Sequence, residues 1–139
     1  MRYFVIALAI ISFIGFLDAG YLAVEHYRGE IVPCAVLEGC EEVTTSKYAT
    51  IFAVPVALYG AIYYLFIFLA SVYYLDRKDR VILRFLSIFP VFGLVASVWF
   101  VYLQIFEIKA VCLYCMGSAV SSALLFLVGL RIILVDYKK

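Results

Sequence analysis

Four apolar stretches, parted by short charged breaks, take up almost the whole chain, and no other feature constrains the fold as much. The first runs from about Tyr3 to Val24 and contains Asp18, and the second runs from about Ile51 to Leu75 without a charge. The third covers about Val81 to Ile105, with Arg84 near its start and Pro90 inside it, and the fourth covers about Ala110 to Val135, with Arg131 near its end. A bilayer crossing takes roughly 20 apolar residues. Backbone groups in lipid have no water to bond, so each stretch is expected to be helical. The expected fold is an all-α integral membrane protein, a single four-transmembrane-helix bundle over residues 1–139 with an outer loop that carries a cysteine pair.

Composition supports this. The chain is 68% hydrophobic and 15% charged, with a mean hydropathy of +1.11, whereas a soluble domain is about half apolar and a quarter charged. A net charge of +1 leaves no electrostatic footprint for nucleic acid, and none is expected as a partner. The first stretch is long and no convincing small-residue cleavage site follows it, so it reads as a span and not as a removable leader.

Lysine and arginine set the expected orientation. Arg2, Arg77, Lys78, Arg80, Arg84, Arg131, Lys138 and Lys139 fall on one side, and only Arg28, Lys47 and Lys109 on the other. The positive-inside bias then puts both termini and the Asp76–Arg80 turn in the cytoplasm. The Glu25–Thr50 segment and a short turn at Phe106–Lys109 are expected outside the cell membrane.

All four cysteines fall on that outer side. Cys34 and Cys40 lie in the long loop, and Cys112-Leu-Tyr-Cys115 opens the fourth stretch. Residues i and i+3 of a helix share a face with Cβ atoms about 5–6 Å apart, within reach of a disulfide after modest adjustment. Cys112 would sit in the first helical turn, where unpaired N–H groups and the helix dipole favour a thiolate. Cys115 would lie about 4.5 Å deeper along the axis. One sulfur is then placed to meet a loop thiol and the other to meet something in the lipid phase. Thiolate attack through a mixed disulfide would carry electrons from the loop pair to the helix pair. Two static disulfides in a structural membrane protein remain the alternative. A four-cysteine zinc site is also conceivable, but this is not a usual zinc spacing and no metal is expected.

The order of these residues resembles the vitamin K epoxide reductase family, in its microbial, quinone-dependent disulfide-forming branch without a fused thioredoxin domain. The resemblance rests on the Cys34/Cys40 pair, Cys40-x₅-Ser46, Tyr48-Ala-Thr-Ile-Phe-Ala-Val-Pro55, Cys112-x-x-Cys115 and Asp18-Ala-Gly-Tyr-Leu22. It implies a membrane dithiol:quinone oxidoreductase that reoxidises a soluble or anchored thioredoxin-fold partner. Cys34 and Cys40 then resemble the shuttle pair, Cys40 the cysteine that links transiently to Cys112, and Cys115 the one that reduces a quinone such as menaquinone or ubiquinone. Ser46 matches a polar position beside the cysteines, though a cap or turn residue fits there equally. In the mammalian branch an Asn and a Tyr contact the quinone oxygens. The aligned positions here are Val56 and Ala119, which points to disulfide formation and away from epoxide reduction.

Other polar and aromatic residues are weighed on their own chemistry. Asp18 is the one carboxylate well inside a span, a functional candidate by default. His26 reads as a solvated juxtamembrane side chain, with proton carriage as the alternative. Tyr59, Tyr63, Tyr64, Trp99 and Tyr102 read as packing, except that those in the outer half would wall a quinone pocket. Ser46, Asp18, Val56, Tyr59 and Ala119 are accordingly expected to bind or support the quinone.

Overall fold

The computed structural model describes residues 1–29, 47, 50–109 and 113–139. Helix α1 spans Arg2–Arg28, α2 Val56–Arg77, α3 Arg80–Ile88, α4 Pro90–Tyr102 and α5 Leu113–Tyr137. A π-helical turn, Leu103–Ile108, continues α4. Taken together, Arg80–Ile108 forms one crossing, so the described residues contain four helical stretches long and apolar enough to cross a membrane. The described residues are predominantly helical, and the chain is a multi-pass membrane protein. Outward-facing Ile10, Phe13, Ile14 and Leu17 on α1 are exposed, as side chains bathed in lipid would be.

Three details depart from the apolar pattern. The second helix begins at Val56, although the apolar run begins at about Ile51. Thr50–Ile51 and Val54–Pro55 instead pair as antiparallel strands β1 and β2. The two residues between them, Phe52 and Ala53, both have positive φ, as the tightest hairpin turns demand. Pro55 then caps α2 in an extended conformation. The third helix divides at Phe89 because Pro90 has no N–H to continue the ladder, although Phe89 itself keeps helical dihedrals. Finally, the turn expected at Phe106–Lys109 is helical as far as Ile108 and ends at Lys109 with φ 58°.

Between α2 and α3 the chain reverses tightly. Lys78 takes the left-handed conformation and the Asp79 carboxylate accepts from the Val81 N–H at 2.9 Å, capping α3. Helix α1 packs along α2 and α5, while α4 packs along α5. The core at the end bearing this turn is closed: Val5, Leu8, Ile67, Leu86 and Leu125 are fully buried. Helices α3 and α5 approach so closely there that a Cβ on Gly129 would stand 2.9 Å from the Ser87 carbonyl oxygen.

Candidate functional site

Toward Cys115 the helices part. A cavity of about 350 Å³ opens there, walled by the last turns of α1, the first turns of α2, the α4 stretch with its π-helical turn, and the start of α5. Its size falls within the roughly 300–1,000 Å³ of small-molecule sites, and its mainly apolar wall with a few polar groups is also typical of them. Those groups suit a flat, apolar ring bearing polar oxygens.

Cys115 stands in the first described turn of α5, half-buried, and forms part of this wall. Val56 and Tyr59 line the cavity from α2, and Ala119 lines it one turn beyond Cys115. The Tyr59 hydroxyl donates to the Ile51 carbonyl at 3.3 Å, which ties α2 back to the hairpin beside the cavity. Cys34, Cys40, Ser46 and Cys112 lie outside the described residues.

Asp18 takes a different place. It is not among the cavity-lining residues. Its Oδ2 is buried without a hydrogen-bond partner, 3.9 Å from where a Cβ on Gly117 would stand. Next to Gly117 is Ser118, which belongs to a hydroxyl cluster. The Tyr64 hydroxyl donates to the Ser118 carbonyl at 2.6 Å, and the hydroxyls of Ser118 and Ser122 each lie 2.9 Å from the Tyr64 oxygen. Tyr64 has one proton to give and the carbonyl takes it, so both serines donate to the phenol oxygen. The Tyr64 ring is held against α1, where a Cβ on Gly15 would come within 2.5 Å of it.

Some readings shift once the helices are assembled. Tyr59, Tyr63 and Tyr64 do wall the cavity, whereas Trp99 and Tyr102 stack on each other at 5.9 Å and stay largely exposed, outside the wall. His26 is exposed, as expected, yet it also contributes to the cavity lining. Ser118 and Ser122 line the cavity without having been singled out from the sequence, and Gln104, a candidate buried polar group by its sequence position, lines it as well. Gln104 is only 3% exposed and sits in the π-helical turn, a feature that often accompanies functional sites.

The family model described as the vitamin K epoxide reductase family matches residues 6–130. No curated protein matches the chain.

Proposed function

The chain belongs to the vitamin K epoxide reductase family, whose members are membrane oxidoreductases working with disulfides and quinone-type carriers, and from that premise we propose that it is a dithiol:quinone oxidoreductase driving protein disulfide formation. The observation that carries the reading is Cys115 in the wall of a mainly apolar cavity that opens among all four crossings.

A reduced thioredoxin-fold partner attacks the Cys34–Cys40 disulfide, leaving the partner oxidised and the loop pair reduced. The Cys40 thiolate then attacks the Cys112 sulfur of the Cys112–Cys115 disulfide. This forms a Cys40–Cys112 bridge and releases Cys115 as a thiolate facing the cavity. Attack by Cys34 on Cys40 restores the loop disulfide and frees Cys112. When bound, a quinone accepts two electrons and two protons, which the Cys112/Cys115 dithiol gives up as it closes again. Val56 and Ala119 carry no hydrogen-bonding side chain, which supports disulfide formation over epoxide chemistry. Asp18 lies beside the Tyr64 cluster as active-site support, and Ser46 has a supporting role for which the family resemblance speaks. With the lysine and arginine split above, both termini face the cytoplasm and the cysteines face outward.

Quinol formation by the purified protein with a reduced thioredoxin-fold donor tests this, with each cysteine changed in turn to alanine. Cys115→Ala is expected to stop quinol formation while the donor still reduces the loop pair. Undiminished quinol formation by that variant would overturn the mechanism.

A further inference from the structure

The quinone reading leaves open which groups receive the acceptor's oxygens, because the side chains of Val56 and Ala119 offer nothing that can hydrogen-bond. We infer that Tyr64, Ser118 and Ser122 form a carbonyl-binding subsite for the inward-pointing oxygen of the quinone reduced at Cys115. This inference rests on the quinone reading above.

Helix geometry places the parts. Cys115, Ser118 and Ser122 stand at i, i+3 and i+7, so they share one face of α5 at increasing depth. At 1.5 Å per residue the two serines lie about 4.5 and 10.5 Å beyond the cysteine along the axis. All three line the cavity, together with Tyr64 from α2. A flat ring held at the level of Cys115 therefore points its deeper oxygen toward the hydroxyls.

The hydrogen-bond pattern sets these serines apart. Ser71 and Ser87 each donate to the carbonyl four residues back in their own helix, at 2.7 and 2.8 Å. Ser121, adjacent in sequence to Ser122, does the same to Gly117 at 3.0 Å. That is how a serine in a membrane helix usually hides its polarity. Ser118 and Ser122 instead turn to Tyr64 across the helix interface and leave acceptor capacity on both oxygens. The Tyr64 O–H can swing from the Ser118 carbonyl to a quinone carbonyl while both serines go on donating to the phenol oxygen, and once it swings back the serine oxygens can accept from a quinol hydroxyl. The cluster thus suits both oxidation states of one ligand without moving a backbone atom.

Infrared difference spectra of a carbonyl-¹³C naphthoquinone bound to the purified protein test the subsite. One carbonyl band is expected at lower frequency than in detergent alone, the mark of a hydrogen bond. Tyr64→Phe and the double change Ser118→Ala/Ser122→Ala should return that band toward its free position and weaken naphthoquinone binding roughly fivefold to tenfold, the worth of about one hydrogen bond. Ser121→Ala should leave the band in place. Should Tyr64→Phe fail to fold, the serine pair decides the matter, since it removes only two oxygens. If the wild-type protein reduces the naphthoquinone but neither band moves, or the variants leave the shifted band unchanged, the subsite is refuted and the quinone reading stands. If the wild-type protein neither binds nor reduces it, the quinone reading falls and the subsite with it.

Discussion

The two ends of the bundle solve different problems with the same residue types. Toward the end bearing the Lys78–Asp79 turn, Leu8, Ile67, Leu86 and Leu125 are fully buried between the helices, and Ser71 and Ser87 return their hydroxyls to their own helices. Toward Cys115 the helices separate around a cavity, and Ser118 and Ser122 turn their hydroxyls across to Tyr64. Lipid tails are as apolar as leucine, so close van der Waals packing, not hydrophobic burial, holds the helices together. The closed end supplies that packing, which allows the other end to stay hollow. Tyr64 sits where the two regimes meet: it belongs to the closed core and also lines the cavity.

This division predicts that stability and turnover separate by position. The largest effect on turnover is expected from Ala119→Trp, which fills the cavity beside Cys115. Quinol formation should fall to about a hundredth or less, the scale set by misplacing a reactant, while the thermal midpoint holds. Leu86→Ala, in the closed end, should do the reverse. It removes a fully buried side chain and is expected to cost about 2–4 kcal/mol in a denaturation assay, with KM for quinone unchanged in the folded fraction. Next comes Gly129→Ala, whose new Cβ meets the Ser87 carbonyl oxygen at 2.9 Å. Because that neighbour is backbone, about 1–3 kcal/mol of stability should be lost, again without a change in KM. Smallest is Ser71→Ala, which removes a hydroxyl bonded only to its own helix. A change within about 1 kcal/mol is expected, and a large change in turnover there would break the comparison.

How much of this was legible beforehand varies by element. The crossings follow from apolar length alone, because the lipid environment leaves a chain of this composition few other solutions. The division of the third helix was readable from Pro90, whose missing N–H acts locally. The hairpin at Thr50–Pro55 was not, since Ile51 to Val56 is continuous with the apolar run behind it and the turn residues, Phe52 and Ala53, carry no turn signature. The extension through Leu103–Ile108 was hidden for a similar reason: no residue there announces a π-helical turn. In the site, Cys115 was marked by its own chemistry and the Cys112-x-x-Cys115 spacing. Ser118 and Ser122 were present at i+3 and i+7 from it, but a serine's meaning depends on its partner. That partner, Tyr64, lies more than fifty residues away and comes into place only when α2 and α5 both pack against α1. Asp18 stood out as an intramembrane carboxylate, yet only the assembled helices bring it against Gly117 of α5.

The central claim is that the acceptor is reduced inside this cavity, at Cys115. Photolabelling the purified protein with an azido-naphthoquinone and mapping the modified peptides tests it most directly. The account predicts label on the cavity wall, in the segments bearing Val56, Tyr59 and Ala119, with protection by excess unmodified quinone. Protectable label confined to the opposite end, around Ile6 and Tyr74, or to the lipid-facing surface of α1, would contradict it.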